Sequence, residues 1–177
     1  MRLVLVSACL LGCRVRYNGQ DAGAVPSFLE ACRSQGWLLP FCPELAAGLP
    51  VPREPCEVVG GDGEAVLADR ARVVSRGGLD LTQQCMAGAE RAVEAARANG
   101  VTLAVLKEGS PSCGVHRIHD GTFSGRFVAG HGVTTACLRR AGIRVLSEVE
   151  EEAFWGAVQA ACGEFDPPGD ASDAGLR

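Results

Sequence analysis

Leu3-Val4-Leu5-Val6-Ser7-Ala8-Cys9 opens the chain with a run that is apolar or small on both faces and ends on a cysteine. A strand wetted on one side alternates apolar with polar residues, whereas an uninterrupted run fits a strand buried on both faces, as in a parallel sheet. Val101–Leu106 repeats the pattern with Thr102 its one polar residue, and shorter versions lie at Trp37–Phe41 and Ile143–Leu146. Helical patterns separate these runs. Pro26 suits the first turn of a helix running to about Ser34, with Gly36 as its stop. Asp80 or Thr82 caps a helix over Gln83–Asn99, with Met86, Ala89, Val93 and Ala96 as its apolar stripe and Gly100 at its end. A third helix starts at Thr134 or Thr135 and stops at Gly142, and Glu150–Cys162 forms a fourth with acidic residues in its first turn.

Strands alternating with helices define an α/β class: a single doubly wound, Rossmann-like domain over residues 1–163, with a mostly parallel sheet. Gly60-Gly61-Asp62-Gly63, between Cys56–Val59 and Ala65–Leu67, reads as a hairpin turn, a small β excursion to which Arg72–Val74 adds a short strand. Residues 164–177 are acidic, with Pro167-Pro168, and read as a flexible tail. Two long polar, Gly-containing loops, Cys9–Ala24 and Glu108–Gly132, are of the kind that carries function.

The 177 residues suffice for one domain with a sizeable core. Seventeen basic and 21 acidic residues are mixed along the chain for a net charge of −4, with no basic block, which argues against a nucleic-acid polymer as partner. No apolar run approaches the length of a membrane span. The small residues before Cys9 resemble a lipoprotein cleavage site, but the apolar stretch ahead of it is too short for a signal-peptide core. Nine cysteines, an odd number, several of them inside apolar runs, indicate a reducing cytoplasm in which they serve as metal ligands or small core residues. The sequence carries no signal of oligomeric state.

Three of the nine, Cys9, Cys42 and Cys113, lie just beyond strand patterns, whereas Cys32, Cys137 and Cys162 fall inside helices. If the strands are parallel neighbours, right-handed crossovers bring all three thiols to one sheet edge, where open α/β proteins place their sites. Thiolates select zinc, copper(I) or iron–sulfur clusters. A zinc ribbon needs paired Cys-x-x-Cys motifs, which are absent, and three thiolates with a fourth position open describe a reactive centre more readily than a structural one.

The surrounding residues resemble a known family. They are the Ser7–Tyr17 segment beginning Ser-Ala-Cys-Leu-Leu-Gly, Cys42-Pro43-Glu44, Gly48–Arg53, Ser110–Gly114, Asp120–Gly125 and Gly132–Thr134. Together, over roughly residues 1–148, they are similar to the small bacterial domain-of-unknown-function family that includes thiouracil desulfidase. The resemblance implies a 4Fe–4S cluster held by Cys9, Cys42 and Cys113 with one iron open. It also implies Glu44 and Ser110 at catalytic positions, and a thiolated pyrimidine or similar thioamide as substrate, desulfurised by non-redox hydrolysis with release of hydrogen sulfide. The chain departs from the family's pattern at Asn18 and His119.

Other readings stand beside this one. Cys13 as a fourth ligand would close the site and favour electron transfer; a non-catalytic iron–sulfur protein or a structural zinc protein are the alternatives. Cys56 and Cys85 read as incidental small residues. Ser110 is either a proton relay or a turn cap, and Ser112 a turn cap. Arg53 either binds an anionic substrate group or pairs with Glu54 or Glu57. His116, His119 and His131 read as loop residues, one of which contacts substrate.

Overall fold

A computed structural model describes residues 3–162. The four apolar runs form β1 (Val4–Ser7), β2 (Leu38–Phe41), β5 (Leu103–Leu106) and β8 (Arg144–Ser147), all parallel, in the order β2-β1-β5-β8. The register aligns Ser7 with Phe41, and Leu106 with Ser147, so the carboxyl ends of the strands finish near one level. The chain leaves β1 for β2 on one side and later returns to β5 on the other. The loops after β1 and β5 therefore flank the switch point of the sheet, the crevice where such folds bind ligands.

Alternate residues of each strand feed opposite faces. Val4 and Val6 of β1, with Leu103, Val105 and Leu146, pack against Phe28, Leu29 and Cys32 of α1 (Ser27–Ser34) and Phe154 and Val158 of α6 (Glu151–Cys162). Leu5, Ala104, Leu106 and Val145 pack against Ala92 and Ala96 of α4 (Thr82–Ala98) and Leu138 of α5 (Val133–Arg140). Apolar side chains on both strand faces are thus accounted for by helices on both sides. The α4 stripe is turned slightly from the expected one: Cys85, Gly88, Ala89, Ala92 and Ala96 are its buried residues, while Met86 and Val93 lie at the edge. Small residues suit this face because α4 packs tightly on α2 (Pro43–Ala46). A Cβ at Gly88 would lie 2.2 Å from the carbonyl oxygen of Pro43.

The expected hairpin at Gly60–Gly63 does not form. Residues Gly63–Leu67 are instead a short helix, α3, because the Asp62 side chain caps it, accepting the Ala65 N–H at 3.1 Å. The strand partner of β3 (Cys56–Val59) is β4 (Arg72–Ser75), antiparallel. The Glu108–Gly132 loop holds a further antiparallel pair that the sequence reading missed, β6 (Arg117–His119) and β7 (Phe127–Ala129). Three-residue strands carry too little periodicity to stand out. β3 and β6 pack together, and with α3, α4 and α5 they enclose a separate apolar cluster around Val58, Val73, Ile118 and Val133. The acidic segment 164–177 lies outside the described residues. No helix among the described residues is long and apolar enough to cross a membrane.

Candidate active site

Each candidate ligand sits on a tight turn at a strand's carboxyl end. Cys9 lies in a 3-10 turn, Ala8–Leu11, that follows β1 directly, closed by Gly12 in the left-handed region at φ 85°. Cys42 stands at the start of α2, with Pro43 in the first turn, where a missing N–H costs nothing. Cys113 lies in the Ser110–Gly114 turn, where the Ser110 hydroxyl accepts the N–H groups of Ser112 (3.1 Å) and Cys113 (3.2 Å). The start of α5 grips that turn from the other side. Val133 N–H donates to Pro111 O, Thr134 N–H to Ser112 O, and the Thr135 hydroxyl to Cys113 O. Helix N-terminal donors that would otherwise lack partners thus fix a ligand loop. The approach is so close that a Cβ on Gly132 would lie 2.3 Å from Ser112 O.

All three cysteines line one cavity of about 460 Å³, a size suited to a small heterocycle and a cofactor edge. Cys9 and Cys113 are buried and Cys42 partly so. Burial, then the neighbouring Cys42, pushes the Cys9 thiol up to about 11, with Arg16 and Lys107 pulling the other way. Burial likewise raises Cys42 and lifts Cys113 well above its ordinary value, although the Ser7 hydroxyl favours the Cys113 thiolate. A set of buried soft donors held as thiols becomes anionic only when a compensating cation arrives. Among the described residues no three His, Cys, Asp or Glu side chains are gathered to share a single ion. A cubane has no such requirement, since each thiolate takes a separate iron. Soft thiol donors on three separate turns are of the kind that suits an iron–sulfur cluster.

Cys13 is exposed and does not line the cavity. Cys56, read from sequence as incidental, does line it. Its thiol interacts with that of Cys85, while Cys9, Cys42 and Cys113 act electrostatically on one another.

Glu44 enters the same cavity two residues beyond Cys42. Its Oε2 accepts from both the Nε (2.7 Å) and a terminal nitrogen of Arg53. Its Oε1 accepts from the Ser112 hydroxyl at 3.0 Å. Arg53 therefore pairs with neither Glu54 nor Glu57. Its guanidinium, 7 % exposed, also donates to Val15 O and Pro50 O and so ties both entry loops to Glu44. Ser112, expected only to cap a turn, instead orients a carboxylate 68 residues away. Ser110 does cap its turn, yet it also lines the cavity, where its own O–H is free to donate. Glu54, the other partner expected for Arg53, accepts from Ser75 and the Gly77 N–H.

Further residues build the wall, of which only His119 and Glu57 were singled out in the sequence, His119 as a loop residue near substrate and Glu57 as a partner for Arg53. Lys107 is held by Glu148, and Glu108 accepts the N–H groups of Val115, His116 and Arg117, bracing the loop beyond Cys113. Glu57, Phe123 and Phe127 line the cavity from β3 and the β6–β7 segment, with His119 beside them. His116 pairs with Glu150 on the outside, and His131 contacts Val115 O and Arg139, so neither joins the cavity. Asn18 stays in its own exposed turn with Gln20.

Fold and site define an open α/β protein with three thiols and a half-buried carboxylate gathered at the carboxyl edge of a parallel sheet. The family model for 2-thiouracil desulfurase matches residues 4–150, and the chain belongs to that family, a family of desulfidase-like enzymes. It is 46 % identical to the [4Fe-4S]-dependent thiouracil desulfidase TudS, a solved structure matched over 90 % of this chain and 99 % of that one with a TM-score of 0.81. It is also 43 % identical over 148 residues to the uncharacterized protein YbbK of Bacillus subtilis (strain 168), covering 84 % of this chain and 97 % of that protein.

Proposed function

We propose that this protein removes sulfur from a thiolated pyrimidine at a 4Fe–4S cluster held by Cys9, Cys42 and Cys113, with water supplying the replacing oxygen. The observation that carries the reading is the arrival in one cavity of three strand-end thiols and a carboxylate fixed on both oxygens. The 46 % identity to TudS, over 90 % of this chain and 99 % of that one, supports it. When bound, the cluster supplies a Lewis-acidic iron for the soft thiocarbonyl sulfur.

The protein's own groups handle water and protons. Glu44 is the candidate general base. Arg53 and Ser112 hold its two oxygens, so it has no rotational freedom to lose when it orients water towards the thiocarbonyl carbon. Ser110 has its oxygen engaged by two backbone donors and lines the cavity, where its O–H is the group to donate to the ring or pass a proton. In balance, the thiocarbonyl and one water give the carbonyl and one hydrogen sulfide; no electrons are exchanged, and no redox partner is needed. The Phe123 and Phe127 rings supply apolar wall against the heterocycle.

Anaerobic reconstitution followed by a sulfide-release assay with 2-thiouracil tests the proposal. A brown protein with about four irons and four sulfides per chain that yields uracil and sulfide supports it. A fully loaded protein releasing no sulfide from any thiolated pyrimidine, or one that binds zinc but no cluster, would overturn it.

A further inference from the structure

Glu57 and His119 sit on the cavity wall built by β3 and β6, apart from the sheet edge that carries the thiols. Glu57 is 5 % exposed, and its Oε2 accepts the Phe123 N–H at 3.0 Å. Its Oε1 stands 4.0 Å from Nδ1 of His119. That is too long for a hydrogen bond, yet Nδ1 is buried and has no other partner among the described residues. A buried polar atom without a partner is costly unless a further contact completes it.

The imidazole is held by its face. It stacks on Phe127 with centroids 4.3 Å apart and planes 27° from parallel. Phe127 is in turn fixed by Arg117, 4.8 Å over the ring, and by Gly109, where a Cβ would come within 2.9 Å of the ring edge. Only the polar edge of His119 is left to adjust, with Glu57 on the Nδ1 side and the cavity alongside.

We propose that His119, set by Glu57, is the residue that reads a ring N–H of the substrate. The inference rests on the thiopyrimidine reading above and adds to it the group that selects the heterocycle. A small rotation that closes the Glu57 gap places the proton on Nδ1, because a carboxylate accepts and does not donate. Nε2 then carries a lone pair and accepts a lactam N–H. An N-alkylated ring offers no proton there and adds bulk against a stacked wall. A site built to pair with a polar hydrogen rejects the analogue lacking it far more strongly than an apolar pocket would.

The test uses anaerobically reconstituted holoenzyme: wild type, His119→Phe, His119→Gln and Glu57→Gln, each with iron and sulfide content measured. Sulfide release is followed with 2-thiouracil and its 1-methyl and 3-methyl derivatives, and uracil binding is measured by calorimetry. One methyl derivative loses about tenfold or more in kcat/KM on wild type, and His119→Phe removes that difference. The same variant raises KM for 2-thiouracil about tenfold while kcat stays within about twofold, and it weakens uracil binding in parallel. His119→Gln, whose amide oxygen also accepts, keeps part of the discrimination, and Glu57→Gln weakens it. Equal treatment of all three substrates by wild type, or full discrimination in His119→Phe, overturns the proposal. Should wild type bind uracil but release no sulfide, the desulfidase reading falls, while the uracil affinities of wild type and His119→Phe still decide the role of His119.

Discussion

The Ser112 hydroxyl donates to Glu44 Oε1 across 3.0 Å, joining the residue before Cys113 to a residue two beyond Cys42. Two loops that each carry a proposed ligand are thereby coupled through the proposed base. Arg53 completes the arrangement from the opposite side of the carboxylate. Cluster binding and water activation consequently share one set of supports.

Glu44→Gln keeps the shape of the site and an oxygen to accept from Arg53, with its amide N–H₂ turned to donate to the Ser112 hydroxyl, but removes the base. The loaded variant should retain its iron and sulfide content and visible spectrum, while sulfide release falls by about 10²–10⁴-fold. Ser112→Ala frees one carboxylate oxygen and should lower kcat by a smaller factor, about tenfold. A loaded Glu44→Gln variant with wild-type turnover would remove Glu44 from the mechanism.

Arg53→Met leaves the Glu44 carboxylate, 13 % exposed, without its cation. Losing one partner of a buried pair costs about 3–5 kcal/mol; this pair is only partly buried, so denaturant unfolding should show a loss of about 2–3 kcal/mol. Arg53→Lys restores charge but not the fork onto Oε2 and the two carbonyls, so it should recover only part of the stability. The double variant Glu44→Gln/Arg53→Met should be less destabilised than Arg53→Met alone, since no charge is then stranded.

Single Cys→Ser changes at positions 9, 42 and 113 should each abolish or severely reduce cluster content in anaerobic reconstitution. Cys13→Ser should leave iron content and absorbance unchanged, because its side chain is exposed and outside the cavity. A colourless Cys13→Ser protein would instead make Cys13 a ligand.

Cys32 lies fully buried in the α1 face of the core, away from the site, and burial pushes its thiol up to about 11 from 9.0. A folded-state value above the unfolded one means that the thiol's contribution is complete below about pH 9 and is lost as pH rises towards 11. Between about pH 8 and pH 10 this amounts to roughly 1–1.5 kcal/mol. Cys32→Ala should be less stable than wild type at about pH 8, and urea unfolding should show the gap narrowing by that amount at about pH 10.

Much of this was legible along the chain. β1 and β5 announce themselves because burial on both faces demands apolar residues at every position, and Cys9, Cys42 and Cys113 are marked by lying just beyond β1, β2 and β5. The β3 pairing was not legible. A Gly-Gly-Asp-Gly stretch serves equally as a hairpin turn or as a helix cap; here Asp62 caps Ala65 and the place beside β3 goes to Arg72–Ser75, a pairing that joins residues separated in the chain. Arg53 offered several acidic partners, and nearness in sequence favoured Glu54 and Glu57, whereas the fold brings Glu44 to it.

The sequence by itself determined the layered α/β scaffold, the strand-end cysteines and the position of Glu44 beside one of them, since these depend on local periodicity and on residues adjacent in the chain. Tertiary structure alone decided which hydroxyl and which guanidinium hold that carboxylate, and that Glu57 and His119 face each other across the cavity wall. Ser112 and Glu44 are separated by 68 positions and Glu57 and His119 by 62, while Arg53, nine positions from Glu44, had nearer acidic neighbours in the chain. No local pattern encodes such distances; they are fixed only when helices on both faces close over the sheet and bring its loops to one edge.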